Sequence, residues 1–134
     1  MSTKSSPNLI FAPHSLGELI DKITVLEIKE KRIQDKAKLK NVKTELKLLK
    51  KIFWREVVQS GKLKRLTAKL KKVNEVIWLS EDKVRGHEKN NNFDSNFVMF
   101  ARAIYKNNDQ RALLKKEISQ LLNSQIVEEK SYET

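Results

Sequence analysis

The amino-acid sequence predicts an all-α fold, an antiparallel bundle of four or five helices with a basic helical hairpin. Three observations carry that prediction. Only 3 glycines and 2 prolines among 134 residues leave few of the turn-forming residues that β-meanders need. Apolar residues recur at spacings of three and four in each long segment, which lines up one face of a helix. Ser or Asp stands just ahead of several of those runs, where a side-chain oxygen can accept from the exposed backbone donors of a first helical turn. A hydrophobic content of 39% supplies one core, and the length suits one domain.

Residues 1–14 hold both prolines and no periodicity, and read as a flexible arm whose Leu9, Ile10 and Phe11 tuck onto the body. Ser15 with Glu18 forms a capping box. Leu16, Leu19, Ile20, Ile23, Leu26 and Ile33 then share one side of a first helix reaching about Gln34. Leu39, Val42, Leu46, Leu49 and Phe53 restart the 3,4 series in a different phase, so the chain turns near Asp35 and a second helix runs to about Val58. Ser60 and Gly61 read as its terminator, since Gly commonly follows a helix end. Leu63, Leu66, Leu70, Val73, Ile77 and Val84 carry a third helix to about His87, expected to pair with the second across a tight turn. Trp54 and Trp78 are expected in the core or an interface. After the polar "GHEKNNN", Asp94 caps a fourth helix through Phe97, Phe100, Ala101 and Ile104. The stretch "YKNNDQ" reads as a break, with Asp109 capping a fifth helix to about Leu122. The single helical domain is thus 15–124, followed by a tail over 125–134.

The net charge of +11 is unevenly placed. From Lys36 to Lys72 there are 14 Lys and Arg against Glu45 and Glu56, and the rest of the chain is close to neutral. Such a segment attracts nucleic acid or an acidic partner by salt-sensitive forces, or serves only as a well-solvated helix face. No Cys is present, which excludes disulfides, thiolate metal sites and a thiol nucleophile and suits a reducing cytoplasm. No run of about 18 apolar residues spans a bilayer. His14 and His87 stand far apart, leaving no basis for a His metal site or a Ser-His-Asp triad. The isolated Gly17, Gly61 and Gly86 make no phosphate loop.

The carboxylates and arginines carry what chemistry the sequence offers. "ELID" sets Glu18 and Asp21 three apart on one helix, and "SEDK" sets Glu81 and Asp82 on another. Acidic pairs on facing helices could hold Mg²⁺, as in all-helical nucleotide pyrophosphohydrolases, although those have a denser acidic pattern. Arg102, Tyr105, Asn108, Asp109 and Arg111 gather around the expected break. Either Arg102 pairs with Asp94 or Asp109 to fix a corner, or Arg102, Arg111 and Lys115 converge on a phosphate or carboxylate with Tyr105 closing one side.

Four segments in order, "GELIDKITVLEIK" with Arg32, "VNEVIWLSEDKVR", "FDSNFVMFARAIYKNNDQRALLKKEI" and "NSQIVEEKSY", resemble a small family of bacterial and phage proteins, a domain of unknown function. The resemblance spans Gly17 to Tyr132. It implies no activity, and it shifts weight from the basic segment toward Glu18, Asp21, Lys22, Glu27, Arg32, Glu81, Asp82, Arg85, Asp94, Arg102, Tyr105, Asn108, Asp109, Arg111, Glu128, Glu129, Lys130 and Tyr132.

Three functions follow as expectations, and whether any is catalytic stays open at this level. One is a soluble cytoplasmic binding module that takes an anionic small molecule or acidic partner through a polar pocket of Lys22, Arg32, Arg85, Arg102, Tyr105, Asn108, Asp109, Arg111 and Lys115. A second is a helical enzyme acting on a phosphorylated or nucleotide-type metabolite, with Mg²⁺ on Glu18, Asp21, Glu81 and Asp82. The third is nucleic-acid binding through 36–72.

Overall fold

The computed structural model describes residues 8–132, and the first half of the expected arm and the last two residues of the tail lie outside them. Four helices follow one another: α1 (Leu16–Arg32), α2 (Lys36–Glu56), α3 (Gly61–Lys89) and α4 (Ser95–Leu121). Among the described residues there is no strand. Among these residues, too, no helix is long and apolar enough to cross a membrane.

Each helix starts on a side chain that accepts from its first turn. Ser15, Asp35, Ser60 and Asp94 receive the backbone N–H groups of Glu18, Lys38, Leu63 and Phe97. These bonds satisfy donors that no carbonyl within the helix can reach. The stops of α3 and α4 also match each other. Asn91 and Asn123 adopt left-handed backbone, φ 50° and 54°. In both turns the next N–H bonds back to the carbonyl five residues earlier, from Asn92 to His87 and from Ser124 to Ser119. Asn tolerates that conformation better than any other residue with a side chain. Gly61, expected to end α2, instead opens α3 without a positive φ, and Ser60 caps it.

The longest packed pair is α3 with α4, and α1 lies against α2, α3 and α4 alike. Helices α2 and α3 follow each other across residues 57–60, yet α2 packs on α1 and not along α3. The basic segment therefore forms two flanks of α1. Glu27 of α1 links those flanks, taking Lys50 of α2 at 3.2 Å and Lys71 of α3 at 3.4 Å.

The core has two parts that divide the faces of α1. Ile20 packs with Val57, Leu63, Leu66, Leu70 and Ile118. Ile23 and Leu26 pack with Val42 and Leu46 of α2. Leu9, Ile10 and Phe11 do not tuck in: Ile10 is 93% exposed. Trp54 is also on the surface, edge-on to Phe53, so only Trp78 is partly buried.

The expected break between fourth and fifth helices is absent, since α4 runs unbroken through "YKNNDQ". In place of apolar side chains, Asn107, Asn108 and Arg111 continue the inward stripe from Ile104 to Leu114 and Ile118. Asn107 turns its amide onto the Ala103 carbonyl at 2.8 Å, one turn back. A polar interruption of a helical stripe reads as a loop unless something inside the fold needs those polar groups. Here Asp21 of α1 needs Arg111.

Candidate functional site

Asp21 is 1% exposed in the middle of α1 and is held from two other helices. Arg111 of α4 grips it with both ends of its fork, Nε to Oδ1 at 2.9 Å and Nη2 to Oδ2 at 2.6 Å. Asn74 of α3 donates to the same Oδ1 at 2.9 Å and also to Thr24 Oγ1 at 2.9 Å. Thr24 in turn donates to the Asp21 carbonyl at 2.7 Å. The cost of removing a carboxylate from water is offset by this paired, hydrogen-bonded cradle. No buried side-chain polar atom among the described residues is left without a partner.

One turn earlier on α1, Glu18 meets Lys115 of α4 at 2.6 Å. Lys115, its side chain only 12% exposed, also meets Glu128 of the tail at 2.9 Å. Lys116 binds Glu129 at 2.8 Å and Lys130 returns to Asp109 at 3.2 Å while lying 5.0 Å above the Tyr132 ring. The segment after α4 is therefore strapped back along its own helix. Glu18, Asn108, Arg111, Ala112, Lys115, Glu128, Lys130 and Tyr132 enclose a cleft of about 320 Å³.

The start of α1 is fastened to the same place. The Gly17 N–H donates to Ser119 Oγ at 2.9 Å and the Leu16 N–H to Ser124 Oγ at 3.1 Å, so first-turn donors are satisfied from α4 and the turn beyond it. Gly17 has no side chain because none fits: a Cβ there would lie inside contact distance of the Lys115 backbone carbonyl. That close approach aligns Glu18 with Lys115 and Asp21 with Arg111. Only half of the capping box forms, since Ser15 accepts from Glu18 N while the Glu18 carboxylate is committed to Lys115.

The charges are tuned by this arrangement. For Arg111, the hydrogen bond to Asp21 is the largest influence and raises its pKa, against burial and with help from the charges of Asp21, Glu18 and Glu128. For Lys115, burial is the largest influence and works to lower the pKa. The hydrogen bonds to Glu18 and Glu128, with the charges of Asp21 and Glu18, outweigh it, and the ammonium is held above its ordinary value. A raised folded-state pKa gives stability that is complete below the unfolded value of about 10.4 and lost as pH climbs through the folded one. Urea unfolding at increasing pH should therefore show the wild type losing more stability than Lys115→Gln above about pH 10.4, and the two running parallel below it.

Of the residues singled out from the sequence, Glu18, Asn108, Arg111, Lys115, Glu128, Lys130 and Tyr132 line the cleft, and Asp109 joins it through Lys130. Lys22, Arg32, Arg102 and Tyr105 do not enter it and stand exposed, Tyr105 at 54%. Arg85 is bound to Glu81 at 3.5 Å on the surface of α3. The four-carboxylate Mg²⁺ centre does not assemble: Glu18 and Asp21 are taken by Lys115 and Arg111, Glu81 by Arg85, and Asp82 is exposed. Among the described residues no three acidic or His side chains gather to hold a metal. The sequence reading did not pick out Thr24, Asn74, Ser119 and Ser124. Asn74 was findable, four residues after Leu70 on an otherwise apolar face.

The class of protein is thus an all-α bundle whose central helix carries a buried carboxylate, with a polar cleft closed by its own C-terminal segment. Residues 13–134 match the family described as "Family of unknown function (DUF6165)", and the chain belongs to it. No curated protein and no solved structure matches the chain.

Proposed function

We propose that this protein is a cytoplasmic binding module for an anionic small molecule or an acidic group on a partner, taken up in the cleft between α4 and the tail. The observation that carries the reading is the Lys115–Glu128 pair. A Lys with a nearly buried side chain receives a tail carboxylate whose side chain is 58% exposed, so that carboxylate stands where the anionic group of a ligand would. Three cations, Arg111, Lys115 and Lys130, face the four carboxylates of Glu18, Asp21, Asp109 and Glu128 in and around the cleft. An incoming anion must therefore replace one of the four, and Glu128 is the most exposed. Ion pairs with one well-hydrated partner are worth about 0–1 kcal/mol, so release of Glu128 costs little. Asp21 and Glu18 stay in place as the floor, holding Arg111 and Lys115 in position.

Calorimetric titration with inorganic phosphate and pyrophosphate at fixed ionic strength tests this. Glu128→Gln removes the internal competitor and is expected to tighten binding about five- to tenfold, corresponding to ~1 kcal/mol. Lys115→Gln is expected to weaken it at least tenfold. Equal affinities in wild type and both variants would refute the cleft as the site.

A second reading rests on α2. Lys36, Lys40, Lys43 and Lys47 line one shallow surface groove with Leu39 and Thr44, a regular row of ammonium groups suited to a nucleic-acid backbone. In the same titrations an oligonucleotide bound through this row would lose affinity steeply with salt and respond to Lys40→Gln and Lys43→Gln, not to changes at Lys115.

A further inference from the structure

The outer part of the α3–α4 hairpin lacks the burial that its sequence calls for. From Ser95 to Glu117, α4 has no buried residue, although it carries Phe97, Val98, Met99, Phe100 and Ile104. Beyond Ser80, α3 has none either. Val76, Leu79, Phe93, Val98, Met99 and Tyr105 are between 38 and 54% exposed, and the tip is an aromatic cluster in which Phe93 and Phe97 stand edge to face at 5.1 Å beside His87. A helix this apolar is ordinarily buried along one face. Val98 and Tyr105, seven residues apart, share one side of α4 while Met99 turns to another, so apolar surface is left open on more than one side of the arm, and exposed apolar surface of this kind marks an interaction site.

Charge indicates what covers it. Between Glu75 and Asn108 there are five basic and five acidic residues, so the arm is neutral while the whole chain is +11. Two copies of a strongly basic protein repel each other wherever their cationic flanks approach, and the arm is the surface where that repulsion is smallest. An acidic partner would gain attraction on α2 and none on the arm. A two-helix arm also closes its open faces most simply by laying against an equal arm, which completes a four-helix bundle about a two-fold axis.

We propose that the α3–α4 arm is a self-association surface, and that the protein pairs with a second copy of itself through the exposed faces around Leu79 and Met99. The interaction is independent of the cleft at Lys115. Sedimentation velocity on the full chain between about 1 and 100 µM should show a monomer–dimer equilibrium. The dimer should persist at about 0.5 M salt, where surface charge attraction is screened. Leu79→Glu and Met99→Glu, each on an already exposed position, should raise the dimer dissociation constant at least a hundredfold with helical circular dichroism unchanged, and Lys43→Glu on α2 should not. A wild-type monomer at the highest concentration would overturn the proposal, as would a dimer that both arm variants leave intact.

Discussion

Asp21→Ala is expected to be the most damaging single substitution in the chain, lowering stability by about 3–4 kcal/mol, a large share of the ~5–15 kcal/mol available to a domain. The loss does not come from the attraction removed. It comes from the Arg111 guanidinium and the Asn74 amide, each aimed into the bundle at an oxygen that is no longer there. Arg111 keeps 31% of its side chain exposed, so water can take over part of its solvation and the cost falls at the lower end of the range for broken buried pairs. Asp21→Asn should lie between wild type and Ala, because an amide oxygen can still accept from one donor but carries no charge. The double variant Asp21→Leu with Arg111→Met removes both partners at once and is expected to be more stable than the sum of the singles by about 1–3 kcal/mol. Equilibrium urea unfolding of Asp21→Ala, Asp21→Asn, the singles Asp21→Leu and Arg111→Met, and the double variant measures these effects. If Asp21→Ala costs under about 1 kcal/mol, Asp21 is not the node that holds α1 to α3 and α4.

Gly17→Ala is expected to lower stability by about 2–3 kcal/mol, and its sign is the informative part. In an ordinary exposed helical position Gly→Ala stabilises by roughly 0.5–1 kcal/mol, because the unfolded chain loses freedom. At Gly17 the added methyl would sit against the Lys115 backbone and Ser119 Oγ, and backbone cannot swing aside as a side-chain end can. Helix α1 must then lift from α4, which stretches the bond from Gly17 N–H to Ser119. Gly86 is the internal control. It is helical and exposed, with nothing within 4 Å of its Cβ position, so Gly86→Ala should stabilise by about 0.5 kcal/mol. Opposite signs at the two glycines would show that the α1–α4 approach is built on Gly17, and equal signs would show that it is not.

Much of the fold was legible because it depends on local rules. Caps at Ser15 and Asp94 and the stripes of α1, α2 and α3 follow from spacing and from the needs of helix ends, and these elements formed where expected. Where reading failed, a tertiary requirement had replaced a local one. The polar run Asn107–Asp109 looked like a loop, yet α4 continues through it: Asn107 turns its amide onto the Ala103 carbonyl, and one turn further Arg111 serves a carboxylate on another helix rather than the core. The pairing of α2 with α1 rather than α3 is set by which faces bury together, and a short connecting turn does not dictate that. Arg111 and Lys115 could be named as candidates from residue type and position. Their partners Asp21 and Glu18 stand 90 and 97 positions away in sequence, a distance no periodicity argument spans. Arg102 was grouped with them by proximity in sequence, but an unbroken α4 turns it to the opposite side of the helix, where it is exposed.

The central claim is that an anion enters by taking the place of the Glu128 carboxylate on Lys115. Its most direct test is a map of backbone amide resonances of the full chain during a titration with pyrophosphate at fixed ionic strength. Displacement predicts that the largest changes fall together on Glu128 to Tyr132 and on Asn108 to Lys115, saturating with one affinity, while the α2 row from Lys36 to Lys47 moves little. Changes confined to α2, or a tail that stays unmoved at saturation, would contradict it.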